Sequence, residues 1–372
     1  MKPIASKTPV QQPLNEIKQR PEAGTTPYYA STLLLPPSTI SWVGSIQILL
    51  VYFVGAFSGR ALDAGHYRLI LFAGVTLQVV GLLLAQGICQ GLGDGLIFCP
   101  AVVNTATYFT RSWTMAISCV ACGGTTGGMV FPAIAQALLN RIGFPWTLRV
   151  IGFVILFNAA VILSLVRTRL PSRSTGPLVE WRAFTELPYL LYTVSMFFAF
   201  WGIWIAYYYV RPFSRNVIAV NDTMSFNLIL IINGVGILGR LVPALIADKY
   251  LGPMNVFIPV MFIAGTVLFC WAAVSTLPGM IAFTIFYGFF GAGVQSLLQA
   301  ALASLNTDLK KTGVRIWMGF SVVGVASLTG SPLGGALVEK GRCLLVERWW
   351  LESLVLVAAR IAKTGFQLKN RM

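Results

Sequence analysis

The sequence is short of charge, and this shortage excludes a water-soluble fold. Asp, Glu, Lys and Arg make up 10% of its 372 residues, whereas 56% are hydrophobic. Soluble domains carry about 25% charged residues because their surfaces face water. The hydrophobic residues also fall in long blocks. This pattern indicates a membrane protein rather than two or three soluble domains.

Histidine and acidic residues are scarce as well, which argues against an enzyme. The chain has one histidine, His66, and 12 Asp or Glu residues. The sequence shows neither a metal-ligand cluster nor a nucleophile–base set, so we expect no cofactor and no metal. The six cysteines lie in or beside hydrophobic blocks, which is not typical of a disulfide framework or a zinc site.

The formal net charge of +15 does not indicate nucleic-acid binding, because the basic residues lie in short loops between the blocks. The loops 59–68, 110–111, 167–186, 248–249 and 308–315 hold eleven Lys or Arg. The alternate loops hold four: Arg141, Arg149, Arg211 and Arg215. By the positive-inside rule, the first set is cytoplasmic. Residues 1–27 have no hydrophobic core, so we expect no signal peptide.

Eight hydrophobic blocks are long enough to cross a membrane as helices, which takes about 20 residues. They cover residues 40–58, 112–139, 150–166, 187–210, 223–247, 254–274, 279–303 and 316–338. Residues 69–103 form a further run that only Asp94 interrupts. This run is too long for one span, and Gly91, Gly93 and Gly95 suggest a break within it. Near the end, the uncharged stretch 353–359 is too short to cross.

The hydrophilic loop 167–186 divides these blocks into two groups. The sequence therefore predicts a hydrophilic tail at 1–39, an N-terminal bundle at 40–166, a cytoplasmic linker at 167–186, a C-terminal bundle at 187–359 and a cytoplasmic tail at 360–372. A loop motif recurs in both groups: residues 59–68 read GRALDAGHYR and residues 247–253 read ADKYLGP. Parallel repeats of this kind build two halves around a site near the membrane midplane.

The spacing of the repeats differs between the two halves. Asp248 follows Asp63 by 185 residues (248 − 63), whereas Gly288 follows Gly91 by 197 (288 − 91). About a dozen residues are therefore missing between Asp63 and Gly91, relative to the second half. The missing residues would have formed the loop that the run 69–103 lacks.

The loop 59–68 resembles the signature of the major facilitator superfamily, Gly-x-x-x-Asp-x-Gly followed by a basic residue. Residues 108–116, YFTRSWTMA, resemble the Tyr-Phe-x-basic signature of its monocarboxylate-porter family. The segments GFPWTLR (143–149), NGVGILGRLVP (233–243) and TDLKKTGVR (307–315) are similar to segments of its fungal members. The resemblance implies an all-α, polytopic, two-bundle fold, here incomplete, with about nine to eleven spans rather than twelve.

The sequence also departs from the pattern of that family. A hydrophilic tail stands where relatives have a complete first span, and the final span is cut short. Relatives that move protons with monocarboxylates often carry an Asp four residues before the arginine of the span. Here that position is Gly236, whereas Arg240 is kept. This departure favours export of a metabolite over proton-linked uptake.

Four residues are candidates for substrate binding: Arg240, Asn233, Trp201 and Trp204. A buried arginine in a span is costly, so Arg240 is either a counter-ion for a substrate carboxylate or an interfacial residue that reaches lipid phosphate or pairs with Asp248. Both interpretations remain open from the sequence.

The block 197–209 is dense in aromatic residues. Phe200, Trp201 and Trp204 lie at helical spacing and either line a cavity or face lipid; lipid-facing packing is the simpler interpretation. Tyr207 to Tyr209 fit an interfacial belt. Asp94 is either a proton-titrating or substrate-binding carboxylate, or a residue near a displaced interface, and the second interpretation is slightly favoured.

The loop motifs also predict a conformational latch. A carboxylate and a basic residue at neighbouring helix ends can form contacts that break and reform as two helices move. The predicted latch residues are Gly59, Asp63, Arg68, Asp248 and Lys249.

The resemblance therefore implies a carrier that moves a small organic acid or related metabolite by alternating access. Fungal members of this branch include exporters of secondary metabolites, and the departure at Gly236 favours that group. The expected partners of this carrier are the lipid bilayer and a small carboxylated or polyketide-like metabolite, without nucleic acid, and its expected location is the plasma membrane. Proton-linked monocarboxylate uptake is one alternative. A truncated, non-transporting remnant or sensor is an alternative of another class.

Overall fold

The computed structural model describes residues 37–84, 87–109, 112–166, 180–305 and 309–339. Over these residues the chain forms nine long helices and no strand. They are α1 (Pro37–Asp63), α2 (Tyr67–Leu84), α3 (Ile88–Tyr108), α4 (Trp113–Leu165), α5 (Leu187–Asn216), α6 (Asp222–Ile246), α7 (Pro253–Cys270), α8 (Leu277–Ser304) and α9 (Leu309–Glu339). Residues 1–36 of the predicted N-terminal tail, the C-terminal tail and the short stretch 353–359 lie outside the described residues. Residues 37–39, predicted as the end of the tail, belong to α1.

Within the described ranges, eight stretches are long and hydrophobic enough to cross a membrane. These stretches confirm the eight predicted blocks. Helix α4 supplies two of them, Trp113–Leu139 and Arg141–Leu165, because it kinks at Gly143. The φ angle of Gly143 is 76°, a left-handed conformation that glycine adopts without a steric penalty. We call the two stretches the first and second arms of α4.

Two predicted loops are shorter than we expected. Arg149 lies within the second arm of α4, where its guanidinium stands 4.7 Å from the ring centroid of Trp146. Arg211 and Arg215 lie within α5, which continues to Asn216. Charge marked these residues as loop residues, but long side chains at a helix end reach the interface while the backbone stays helical.

The run 69–103 folds as two helices, and the predicted position of its break was wrong. The backbone turns at Gly87, where φ is 98°. Gly91, Gly93 and Gly95 instead lie inside α3, where they allow close helix packing. A Cβ atom at Gly93 would stand 2.6 Å from the carbonyl oxygen of Gly74 on α2. Small residues at such positions let two backbones approach each other within a membrane.

Two seams join the N-terminal helices to the C-terminal helices. Within the first group α3 packs against α1 and α2, and within the second group α8 packs against α6 and α7 while α9 packs against α5. Between the groups, α1 packs along α9 and α4 packs along α6. Gly324 of α9 lies against Leu49 and Tyr52 of α1, which brings that pair of helices close. Any site between the halves must therefore lie between the α1–α9 seam and the α4–α6 seam.

Candidate functional site

Arg240 is a buried cation in the last two turns of α6. Only 7% of the residue's surface is exposed. One guanidinium nitrogen, Nη2, donates a hydrogen bond to Oε1 of Gln295 on α8 at 2.9 Å. The Nε atom is buried and has no hydrogen-bond partner, and no carboxylate of the described residues pairs with this arginine. A charge that is held in a membrane protein without a counter-ion is costly and is therefore a functional candidate.

The guanidinium of Arg240 lies where the two halves meet. The ionisable side chains around it are those of Tyr207 of α5, Cys122 of α4 and Tyr52 of α1. Tyr52 and Cys122 belong to the N-terminal half, whereas Tyr207 and Gln295 belong to the C-terminal half. We call these five residues the Arg240 cluster. Because its members come from both halves, relative movement of the halves changes the surroundings of the cation.

Aromatic side chains extend from the Arg240 cluster along α5. The ring centroids of Tyr207 and Trp204 lie 5.8 Å apart, and those of Phe200 and Tyr52 lie 6.3 Å apart. The indole Nε1 of Trp204 and the Oε1 of Gln299 are buried, and neither has a hydrogen-bond partner in the described part of the chain. Buried polar atoms are normally paired, so unpaired ones on the helices that carry the Arg240 cluster favour a site for a polar ligand.

The four predicted substrate residues do not all lie together. Arg240 and Trp204 are joined through Tyr207. Trp201 lies one turn away, where it packs against Phe197 and against Gly330 of α9. Asn233 lies in the α4–α6 seam, where it donates to the carbonyl oxygen of Ile229 at 2.9 Å.

The aromatic block of α5 faces protein, so the lipid-facing interpretation was wrong. Phe200 is 1% exposed and Tyr209 is 5% exposed. The Nε1 atoms of Trp201 and Trp204 are also buried. Lipid tails and helix interiors are equally apolar, so an aromatic residue alone does not reveal which of them it contacts.

Gln295 and Gln299 are site residues that the sequence interpretation missed. They lie four residues apart on α8, so they share one face of the helix. A polar pair at this spacing in an uncharged, hydrophobic helix was a signal available in the sequence.

The predicted latch residues include one contact between the halves. Asp248 lies in a short π-helical turn, Ala247–Leu251, after α6. Its Oδ2 accepts a hydrogen bond of 2.8 Å from the backbone nitrogen of Met115, the third residue of α4. The first amides of a helix lack partners within the helix, and the helix dipole favours a carboxylate at this end. Asp248 therefore fastens the C-terminal half to the N-terminal half.

The other latch residues have different surroundings. Arg68 donates from Nη2 to the carbonyl oxygen of Val166, at the end of α4, at 3.3 Å. Gly59 lies within contact distance of Cys99 on α3, and Lys249 is exposed. The side chain of Asp63 lies outside the part of the chain that the structure describes.

A pair of salt bridges at Arg315 was not predicted. Its Nε lies 3.1 Å from Oε2 of Glu180, and its Nη2 lies 2.6 Å from Oε1 of Glu186. The hydroxyl of Tyr189 donates to the carbonyl oxygen of Arg315 at 2.8 Å. Arg315 of α9 thus holds the segment that enters α5. Sequence separation of more than 120 residues concealed this pairing.

Two seams between helical halves, a buried cation between the halves and the Asp248 contact across one end are typical of a multi-spanning membrane transporter with two halves. The chain belongs to the Major Facilitator Superfamily, whose family profile matches residues 23–339. The superfamily prediction is confirmed by this match.

Fungal transporters are among the relatives of the chain. It is 43% identical to an MFS-type transporter of Gibberella zeae over 325 residues, which are 84% of this chain and 74% of the relative. It is 34% identical to the MFS-type transporter dbaD of Emericella nidulans, over 84% of this chain and 73% of the relative. It is 32% identical to the aspyridones efflux protein apdF of the same organism, over 82% of this chain and 64% of the relative.

Solved structures share the fold. The human organic anion transporter MFSD10 superposes with a TM-score of 0.70 at 12% sequence identity, over 90% of this chain and 88% of that chain. At this level of identity the similarity concerns the fold alone. It confirms the all-α, polytopic class with two bundles.

Proposed function

We propose that this transporter exports a small anionic metabolite that carries an aromatic or polyketide-like ring system, and that it binds the anion at Arg240. The observation that carries this proposal is the buried guanidinium, which has one neutral partner, Gln295, and an unpaired Nε. An anionic ligand would supply the missing countercharge. Arginine suits this role because its planar fork binds a carboxylate through two parallel hydrogen bonds.

The surroundings of Arg240 support a ligand with a ring. Tyr207 and Tyr52 are neighbours of the cation, and Trp204 packs against Tyr207. Trp204 Nε1 and Gln299 Oε1 offer a donor and an acceptor. Small-molecule sites commonly combine hydrophobic walls with a few well-placed polar groups. A simple short-chain carboxylate would leave most of this wall unused.

Efflux is supported by the relatives. One relative is named as an aspyridones efflux protein and another, from Paecilomyces divaricatus, as an agnestins efflux protein. Gly236 also lacks the carboxylate that proton-linked monocarboxylate carriers often place one turn before the arginine. We therefore propose a fungal exporter of the monocarboxylate-porter branch that resides in the plasma membrane.

Alternating access gives the Arg240 cluster its function. The cluster lies between two halves, and Asp248 fastens these halves at the end that the loop charges predict to be cytoplasmic. Release of this latch lets the halves rock, which opens the cluster to the cytoplasm for loading.

Anion recognition is tested by binding measurements on the purified chain in lipid nanodiscs. 2-Naphthoate and its neutral amide, 2-naphthamide, share a ring system and differ in charge. We expect the wild type to bind the anion at least about tenfold more tightly, which corresponds to about 1.4 kcal/mol. Arg240→Gln should abolish this preference, whereas Arg215→Gln, which removes a more exposed arginine paired with Asp222, should retain it. Equal binding of both probes by the wild type would contradict the proposal.

Export is tested in yeast cells that carry the chain in their plasma membrane and are preloaded with 2-naphthoate. Wild-type cells should lose the probe faster than cells that carry Arg240→Gln. Binding without export would favour the remnant or sensor, and accelerated uptake would favour the permease. Either result would overturn the proposed direction.

A further inference from the structure

Asp94 is a carboxylate within the N-terminal half, outside the Arg240 cluster. It lies on α3 and is half-buried between α1 and α2. Its Oδ2 accepts a hydrogen bond of 3.0 Å from Nε2 of Gln47 on α1. Its Oδ1 accepts a second bond of 2.8 Å from Nε2 of Gln78 on α2. One carboxylate therefore ties three helices together.

The helices around Asp94 are in close backbone contact. A Cβ atom at Gly91 would stand 3.0 Å from the Cα of Gln47, and one at Gly95 would stand 2.8 Å from the carbonyl oxygen of Leu50. On the other side, Gly93 lies against the backbone of Gln78. This packing holds both glutamine side chains at the carboxylate, so its two hydrogen bonds are built into the fold.

The carboxylate of Asp94 has no basic partner among the described residues. In the described part of the chain, its side-chain hydrogen-bond partners are Gln47 and Gln78. None of the other described titratable or charged groups on the surrounding elements is a partner of the Asp94 carboxylate. Tyr52 of α1 and Cys122 of α4 lie around Arg240, Arg68 of α2 bonds to Val166, Tyr67 of α2 bonds to Asn104, and Cys99 of α3 packs against Gly55 of α1. An ionised carboxylate in a membrane bundle with only neutral donors is costly, and binding a proton removes that charge.

We infer that Asp94, Gln47 and Gln78 form a proton-binding site that controls the packing of α1 against α3. An ionised carboxylate accepts from both glutamines. In a protonated carboxyl group, one oxygen becomes an O–H donor and a weaker acceptor for the amide N–H that faced it. The glutamine on that side then turns its amide to accept from the O–H or keeps a weaker bond, so proton binding loosens one of the three helices.

Helix α1 connects this proton site to the proposed function. It carries Gln47, which bonds to Asp94, and, five residues later, Tyr52, a member of the Arg240 cluster. It also forms the α1–α9 seam between the halves. Proton binding at Asp94 would therefore regulate the movement that exposes the substrate site; this last step alone rests on the proposed function.

Infrared spectroscopy of the full chain in lipid nanodiscs tests proton binding directly. We expect a protonated-carboxyl C=O band that titrates in the wild type and is absent from Asp94→Asn. The exposed control Asp222→Asn should keep the band. Gln47→Leu and Gln78→Leu should each raise the pH midpoint by about one unit, a tenfold gain in proton affinity, because each removes a bond to the ionised form. A wild-type band that survives in Asp94→Asn would overturn the inference.

Helix loosening is tested by alkylation of Cys99 with N-ethylmaleimide, measured by peptide mass spectrometry. Cys99 is 4% exposed and lies against Gly55 of α1, whereas Cys270 is exposed and serves as the reference thiol. Acidification through the midpoint should raise the Cys99-to-Cys270 ratio about fivefold in the wild type. Asp94→Asn, which resembles the protonated form, should show a high ratio at every pH.

Equal pH dependence of the ratio in the wild type and Asp94→Asn would overturn the coupling. Should Asp94→Asn fail to fold, Gln47→Leu and Gln78→Leu must still move the infrared midpoint and the alkylation ratio together, and unchanged values would overturn the inference. Neither assay uses a substrate. Failure of the proton site is therefore distinguishable from failure of naphthoate selectivity at Arg240.

Discussion

Removal of the Asp248 carboxylate should shift the transporter toward the conformation that is open at the latch. Asp248 accepts one hydrogen bond from Met115 and carries a charge at the N-terminus of α4. A capping bond of this type stabilises a helix end by about 0.5–2 kcal/mol, and the charge–dipole interaction adds about 0.3–1 kcal/mol. A loss of roughly 1–2 kcal/mol changes the closed-to-open ratio by about 5- to 30-fold.

Cys122 is the reporter for this shift, because it is half-buried and belongs to the Arg240 cluster between the halves. In inside-out vesicles, a membrane-impermeant maleimide should alkylate Cys122 about 5- to 30-fold faster in Asp248→Ala than in the wild type, as long as the closed form dominates. Asp248→Asn keeps an acceptor oxygen and should lie between the two. Asp222→Ala, at the opposite end of α6, serves as the control. An unchanged Cys122 rate in a folded Asp248→Ala protein would refute the latch.

Three further predictions concern packing and binding. Gly239→Ala should lower the thermal unfolding temperature markedly, because the added Cβ would collide with the backbone of Phe289. Gly123→Ala is the control: its Cβ would enter open space, so the unfolding temperature should hardly change. Similar losses in both variants would contradict this account. Arg315→Gln should lower the free energy of unfolding by roughly 2–3 kcal/mol in a denaturant titration, because Glu180 stays half-buried after the loss of the Arg315 guanidinium. Adding Glu180→Gln should restore part of that free energy. Tyr52→Phe keeps the ring contacts with Phe98 and Phe320 but removes the hydroxyl near Arg240. Calorimetry should therefore show weaker 2-naphthoate binding, with unchanged protein stability. A large loss of stability would assign the hydroxyl a structural role instead.

The spans were predictable because their length and hydrophobicity follow from the thickness of the bilayer. The break at Gly87 was not, since a glycine in a membrane segment serves either as a turn or as a helix contact. Gly93 resembles Gly87 in the sequence, and only the presence of Gly74 opposite it distinguishes the two roles. Helix ends at Arg149 and Arg215 were misplaced because charge reports depth in the membrane rather than backbone conformation.

The candidate site was predictable in part. Arg240 stood out because a cation is rare in a span, whereas Tyr52 and Gln295 lie on other helices and acquire meaning only through their distance to it. The same dependence on other helices explains why Phe200 is buried whereas Phe157 is 69% exposed. Which face of a hydrophobic helix meets protein is decided by the other helices, and the local sequence does not contain that information.

The latch contact joins a side chain to a main-chain amide, and this makes its response to mutation one-sided. Every residue except proline supplies an N–H at position 115, so the methionine there can vary without loss of the bond. Position 248 has no such freedom, because its side chain provides the acceptor. Selection on the rocking equilibrium would therefore act through codon 248 and leave codon 115 to drift, so among relatives the two positions should not co-vary although they touch.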